Sequence, residues 1–343
     1  MQEPRGSPRR RRVLLGAKFL LAVLLLAWLA HSGSIAPGAL LGGKVSASAL
    51  GTAALCVFVA LALGVYRWRL VMGALGVPMR YPRALQVYWI GAFASTFLPG
   101  AATGDLLRAI YVARETPLAR TRAAASVVID RGIGLLGFVL SGLMLMLLRF
   151  DVLRQSAGLR DIATTFAVVL VAVAVCLPAA LWMGKRVFGA DLMARTQDRL
   201  GSAHRAVRTQ AAALGWPGAT RSATALGLSL AIPTLLACAL LPFIPSGTLL
   251  ATDVIDIGIA SNAAQVANTL PLTPGGIGIG EGAFEYVLSL LRQPAVVAGY
   301  ATAFLSLRLV TLAVNAFGGV LLLLPGNRAG ARAAGVQAVE SGQ

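Results

Sequence analysis

Residues 97–105 read FLPGAATGD, and residues 272–281 read LTPGGIGIGE. Each stretch interrupts an apolar segment with Pro-Gly and further glycines, and each then supplies one carboxylate, Asp105 or Glu281. In a membrane protein, paired segments broken by glycine and proline at corresponding positions of two halves indicate a substrate site. The two stretches therefore predict one structural unit that is built twice.

Composition places the chain in the membrane class. Hydrophobic residues make up 57% and charged residues 13% of the sequence, and the mean hydropathy is +0.77. These values lie well outside those of soluble domains. The sequence therefore predicts an all-α polytopic membrane protein. Its apolar runs approach or exceed the roughly 20 residues that cross a bilayer, and they occupy residues 13–30, 47–66, 123–148, 162–183, 222–244 and 295–324.

The first apolar run has two interpretations, a signal peptide or a retained span. It contains Trp28 and is longer than the usual signal core of roughly 7 to 15 residues. The residues Ala30, His31 and Ser32 form a poor cleavage context. We therefore expect a retained span after a basic N-terminus at residues 1–12.

The net charge of +17 raises the possibility of nucleic-acid binding, but the distribution of the charge argues against it. The basic residues lie in short clusters between apolar runs, as expected for topology determinants that also contact anionic lipid. We expect both termini to be cytoplasmic in a bacterial inner membrane, with membrane lipids and no nucleic acid as partners. The basic clusters include Arg67, Arg69, Arg80 and Arg83, a loop at residues 184–221, and a tail at residues 325–343.

The segment at residues 84–98 is flanked by basic residues on both sides. As a helix it would rise only about 22 Å, which is less than the hydrocarbon thickness. We therefore predict a hairpin that enters from the cytoplasm, turns at Pro99 and Gly100, and returns through residues 106–112.

The second broken segment, at residues 252–291, has a neighbourhood that holds Asp253, Asp256, Glu281 and Glu285 against one base, Arg292. Such an acidic neighbourhood belongs on the outer face, so this hairpin enters from the opposite side. The prediction is an inverted repeat of residues 47–148 and 222–324 in one membrane domain at 13–324. It comprises about six full spans and two re-entrant hairpins, or about eight membrane segments.

The glycine turns and the charges near them are the predicted substrate-binding residues. Half-helices that start at Thr103 and Ile277 would direct their N-terminal amides, which attract phosphate or carboxylate, toward the membrane interior. Intramembrane ionisable groups are functional candidates by default. Asp105 and Glu281 have two open roles, capping of a helix end or contact with a proton or cationic headgroup. The complete set is Pro99, Gly100, Gly104, Asp105, Arg108, Asp130, Arg131, Pro274, Gly275, Gly276, Gly278, Glu281 and Arg308.

Simpler roles compete for some polar residues within apolar runs. Asp130 and Arg131 fit a pair that snorkels to the membrane surface, whereas Arg308 lies too far from its helix ends for that. Asn262, Asn268 and Asn315 are expected to join helices by hydrogen bonds.

The remaining residues do not suggest catalytic or cofactor chemistry. Cys56, Cys176 and Cys238 are isolated in apolar runs, and the two histidines are far apart. This pattern does not resemble a zinc site, a disulfide framework or a catalytic triad. We expect no cofactor and no metal.

Three ordered segments, at residues 97–108, 126–131 and 274–282, resemble the membrane region of lysylphosphatidylglycerol synthases. They equally resemble stand-alone flippase-like membrane proteins related to that region. The resemblance implies a membrane region that moves lipid between leaflets, beside a soluble domain that transfers the aminoacyl group in the synthases. The longest polar stretch here, residues 184–221, is too small for such a domain. We therefore expect a transporter rather than an enzyme.

The favoured function is transbilayer movement of a phospholipid or lipid-linked intermediate with an anionic or zwitterionic headgroup. The alternative is a membrane-embedded transferase or an accessory subunit of a lipid or glycolipid synthesis pathway, with a synthesis enzyme as partner. A third is a structural scaffold.

Overall fold

The structure is a computed structural model, and it describes most of the membrane domain. All the regular elements in the described ranges are helices. The described residues are 20, 23–24, 26–27, 31, 46–97, 103–115, 120–187, 218–244, 251–270, 273, 276–292 and 299–323.

Four helices form the first half: α1 (Ala47–Ala74), α2 (Tyr81–Phe97), α3 (Thr103–Glu115) and α4 (Arg120–Leu148). Helix α1 begins where Ser46 Oγ accepts the Ala49 N–H at 3.2 Å. Its end is followed by Gly76, whose φ of 72° suits the left-handed residue that commonly terminates a helix.

Two further helices, α5 (Phe150–Gln155) and α6 (Ala157–Val187), lead away from the first half. Four helices then form the second half: α7 (Gly218–Leu240), α8 (Ala251–Ala267), α9 (Ile279–Leu291) and α10 (Tyr300–Leu323). A short 3₁₀ turn, Leu241–Phe243, follows α7.

Four helices in the described part of the chain are long and apolar enough to cross a membrane: Ala47–Ala74, Arg122–Leu148, Thr224–Phe243 and Tyr300–Leu322. They correspond to α1, α4, α7 and α10. The sequence-based prediction of an all-α chain with several membrane spans is therefore confirmed at this level. Of the first predicted span, at residues 13–30, the structure describes residues 20, 23–24 and 26–27, and the rest lies outside the described residues.

The helices of the two halves make corresponding contacts. Helices α2 and α3 pack together as a hairpin, and so do α8 and α9. Each hairpin also packs on the last helix of the other half, with α2 on α10 and α8 on α4. The first helices of the two halves, α1 and α7, meet directly. Each hairpin is therefore held between both halves.

Polar contacts join the helices at these crossings. Asn315 Nδ2 on α10 donates to Thr96 Oγ1 on α2 at 3.1 Å, and Asn262 Nδ2 on α8 donates to Ser141 Oγ on α4 at 3.2 Å. The predicted helix-linking role of these two asparagines is therefore confirmed.

Three boundaries differ from the sequence-based expectation. Helix α1 extends to Ala74 and buries Arg67, which the sequence placed in a basic cluster after the span. Asp130 compensates the Arg67 charge, so Arg67 can be buried within the helix. The helices on either side of the predicted 184–221 loop reach to Val187 and start from Gly218.

Candidate functional site

An arginine–carboxylate ion pair lies at corresponding positions in the two halves. In the first, Arg131 Nε on α4 lies 2.8 Å from an Asp105 carboxylate oxygen on α3, 26 residues away in sequence. In the second, Arg308 on α10 binds Glu281 on α9, 27 residues away. Both acids are the third residue of their helix, in its first turn. Each pair therefore ties the returning limb of a hairpin to the long helix that follows it.

A glycine precedes each of these acids, and each glycine allows close packing. A side chain at Gly104 would collide with Ser95 and the Gly91 backbone on α2. A side chain at Gly280 would collide with Asn268, just after α8. The short limbs therefore lie close against the entering limbs at the ends that carry the acids.

The second pair is enclosed by protein. Arg308 Nη2 donates at 3.2 Å to Asn268 Oδ1, to the Gly276 carbonyl and to Glu281 Oε2. The Gly278 N–H donates to the same Glu281 Oε2 at 2.8 Å. The Glu281 side chain is 0% exposed and the Arg308 side chain 15% exposed. Glu281 therefore has two roles: it caps the start of α9, and it neutralises the charge of Arg308.

The second turn requires glycine at two described positions. Gly276 has a φ of 73° and Gly278 a φ of 85°, both in the region that favours glycine. Helix α9 begins only after them, at Ile279, two residues later than the start at Ile277 that the sequence suggested. The left-handed backbone at Gly278 accounts for this delay.

The Asp105–Arg131 pair is more exposed than the Glu281–Arg308 pair. The Asp105 side chain is 22% exposed and the Arg131 side chain 59% exposed. Arg131 Nε binds both carboxylate oxygens, at 2.8 and 3.1 Å. Among the described residues its two terminal nitrogens have no hydrogen-bond partner. The guanidinium is therefore oriented by Asp105 and presents its terminal nitrogens outward.

A buried charge cluster lies beside the first pair. Asp130 accepts from Arg67 Nε at 3.0 Å and from Arg108 Nη2 at 2.9 Å. Arg108 also approaches Asp105, with 3.6 Å between Nη1 and Oδ1. The snorkelling pair suggested for Asp130 and Arg131 is therefore wrong. Adjacent helix positions point in different directions, so Asp130 faces inward and Arg131 faces out.

Aromatic rings complete this cluster. The Arg108 guanidinium lies 4.3 Å from the centre of the Trp68 ring and 4.2 Å from that of Tyr88. Trp68 Nε1 in turn donates to Ser126 Oγ at 3.2 Å. Cation–π contact and the Asp130 ion pair together compensate the desolvation of Arg108.

Sequence reasoning missed Arg67, Trp68, Tyr88 and Asn268 as parts of this region. The only signal for Arg67 was its position at the edge of an apolar run, where topology alone also explains an arginine. Gly104, Asp105, Arg108, Asp130, Arg131, Gly276, Gly278, Glu281 and Arg308 lie in the two clusters as described above. The predicted turn residues Pro99, Gly100, Pro274 and Gly275 lie outside the described residues.

A salt bridge also joins the far ends of each hairpin. Arg83, near the start of α2, pairs with Glu115 at the end of α3. Asp253, near the start of α8, pairs with Arg292 after α9 at 2.9 Å. The positions correspond while the signs are reversed, so the entering limb carries the base in one hairpin and the acid in the other.

Long apolar helices, two short helical hairpins and arginine–carboxylate pairs between them define a multi-pass α-helical membrane protein. The family model described as the lysylphosphatidylglycerol synthase TM region matches residues 15–330. The chain belongs to this family, as its three sequence segments indicated. No curated protein matches the chain.

Proposed function

We propose that this protein moves a phospholipid or lipid-linked intermediate between the leaflets of a bacterial inner membrane, with both termini cytoplasmic. The observation that carries the proposal is the pair of matched ion pairs, Asp105–Arg131 and Glu281–Arg308, one in each hairpin. Intramembrane charges that face partners mark substrate pathways in membrane proteins. Membership of a family named for lipid synthesis supports a lipid as the substrate.

An inverted repeat of residues 47–148 and 222–324 supports alternating access to this pathway. The two halves make corresponding helix contacts, and their hairpin ends carry salt bridges of reversed sign. The returning limbs α3 and α9 have 13 residues each. They would rise about 20 Å, which is too short to cross the hydrocarbon. Hairpins that enter from opposite faces would bring both glycine turns toward the bilayer midplane.

The polar groups at the turns suit an amphiphilic substrate with a charged headgroup. Guanidinium groups bind phosphate in a bidentate manner, and glycine-rich turns let a ligand approach the backbone. The spans have exposed apolar faces, so the acyl chains of a substrate could stay in the surrounding lipid. An anionic or zwitterionic headgroup is therefore the proposed substrate class.

The carboxylates favour transport over a membrane-embedded transferase. Asp105, Asp130 and Glu281 are each bound by an arginine. A general base needs a carboxylate oxygen that is free to accept a proton from substrate. In these three residues, arginine N–H groups already bind both carboxylate oxygens. The three carboxylates therefore hold arginine side chains in position.

Reconstitution tests the proposal. The purified full chain is placed in liposomes that contain fluorescent phosphatidylglycerol, phosphatidylethanolamine or phosphatidylcholine, and quenching of outer-leaflet fluorescence is followed. We expect the quenched fraction to exceed the outer-leaflet share for at least one lipid. Protein-free liposomes and liposomes with heat-inactivated protein serve as controls. Quenching equal to these controls for all three lipids contradicts the proposal.

A further inference from the structure

We propose that the two matched pairs have different tasks, with Arg131 binding the phosphate of the headgroup and Arg308 holding the second turn in place. This inference rests on the proposed function, since it assigns the substrate contact of the same pathway. It is carried by three differences between the pairs: the bonds of each arginine, its exposure and the charge balance around it.

The first difference is in the hydrogen bonds. Arg131 uses Nε alone, on the two oxygens of Asp105, and its terminal nitrogens have no partner among the described residues. Arg308 donates from Nε and Nη2 to a carboxylate, an amide oxygen and a backbone carbonyl. Two terminal N–H groups in the plane of a fixed guanidinium match two phosphate oxygens. Only Arg131 offers this arrangement.

The second difference is exposure. The Arg131 side chain is 59% exposed, and the Arg308 side chain is 15% exposed against a Glu281 that is 0% exposed. A headgroup could reach Arg308 only by displacing contacts with Asn268 and Gly276. It could reach Arg131 without breaking any bond between described residues.

The third difference is net charge. The first cluster contains Arg67, Arg108 and Arg131 against Asp105 and Asp130, which leaves one positive charge. The second contains Arg308 against Glu281 and is neutral. Arg131 lies about 16 Å along α4 from the helix start, within the apolar span. An uncompensated charge within an apolar span is costly, and a bound phosphate would balance it.

The test measures binding and transport separately on the detergent-purified full chain and its variants. The binding probe is a short-chain phosphatidylglycerol, and the readout is the shift in Tm. The comparison probes are the diacylglycerol with the same chains, which lacks phosphate, and inorganic phosphate. The variants are Arg131→Gln, Arg131→Lys and the matched control Arg122→Gln, at an arginine earlier on the same helix.

We expect phosphatidylglycerol at saturation to raise the Tm of the unaltered protein and of Arg122→Gln by at least about 3 °C. Arg131→Gln should lose this shift and Arg131→Lys should keep part of it, because ammonium cannot form the bidentate contact. Lipid-free Tm should change little in Arg131→Gln, since the side chain is exposed. Diacylglycerol and inorganic phosphate should give less than half of the shift.

A full shift in Arg131→Gln overturns the assignment. An equal shift with diacylglycerol would assign binding to the acyl chains, and an equal shift with inorganic phosphate would assign it to a soluble anion, and either also overturns the inference. Failure of the proposed function has a different signature. Phosphatidylglycerol binding that depends on Arg131, without lipid movement in liposomes, supports this site and contradicts transport.

Discussion

At the scale of single residues, the buried carboxylates Asp130 and Glu281 are held by arginines. Asp130 lies between Arg67 and Arg108, and Glu281 lies between Arg308 and the Gly278 amide. Breaking a buried pair by removing one partner typically costs about 3–5 kcal/mol, because the other charge is left unpaired. These residues therefore stabilise the fold, independently of any contact with a substrate.

The Glu281–Arg308 pair gives a prediction for stability. Arg308→Ala should lower the Tm in detergent strongly, because it leaves a fully buried carboxylate without its cation. The double change Glu281→Gln with Arg308→Gln removes both charges and should be less destabilising than Arg308→Ala. Thermal unfolding of Glu281→Gln, Arg308→Gln and the double variant measures this coupling. Equal or additive losses of Tm would show that the two side chains do not act as a pair.

Sequence reasoning identified some of these charges and missed others for a physical reason. Asp130, Arg131 and Arg308 lie within apolar runs, where an ionisable residue is costly and is therefore a functional candidate from the sequence alone. Arg67 lies where an apolar run meets a basic cluster, and the same residue type is expected there for topology. Its burial depends on Asp130, a partner 63 residues away that only the fold brings near.

At the scale of elements, the two hairpins are built from short helices that meet at glycine. Each returning limb has its acid in the first turn and a glycine just before the acid, packed on the entering limb. The sequence predicted both limbs closely, because Pro, Gly and one carboxylate at a helix start are local signals. The sequence-based prediction placed the start of α9 too early, because the positive φ at Gly278 cannot be inferred from the amino-acid sequence.

Two neighbouring glycines of α9 give a matched test of this packing. A Cβ at Gly280 would collide with Asn268, whereas a Cβ at Gly282 would meet nothing within 4 Å. Gly280→Ala should therefore destabilise the protein by about 1–3 kcal/mol. Gly282→Ala should be neutral or stabilise it by up to about 1 kcal/mol, because alanine favours helix.

The measurement is thermal unfolding of both alanine variants in the same detergent. Lipid movement in liposomes should follow the folded fraction of each variant. A Gly280→Ala protein as stable as Gly282→Ala would contradict the close approach of α9 to Asn268.

At the scale of the whole molecule, the packing of the helices could not be predicted from local sequence signals. The apolar runs predicted the four helices that are long and apolar enough to cross a membrane, and the glycine-rich breaks predicted short helices between them. The packing of α2 on α10 and of α8 on α4 could not, because it joins segments far apart in sequence. Trp89 Nε1, for example, donates to the Val314 carbonyl 225 residues away at 2.9 Å.

The central claim is that the two halves are one unit inserted in opposite directions, and cysteine labelling tests it most directly. In a chain with Cys56, Cys176 and Cys238 replaced by alanine, single cysteines are placed at Thr116 or Ser246. A third single cysteine replaces Phe58, on the exposed apolar face of α1. It is the control, because a polar maleimide should not label a cysteine that faces lipid.

A membrane-impermeant maleimide is then applied to intact cells and to inside-out vesicles. The inverted repeat predicts that the cysteine at position 116 labels only in inside-out vesicles and the cysteine at position 246 only in intact cells. Labelling of both positions from the same side would contradict the account.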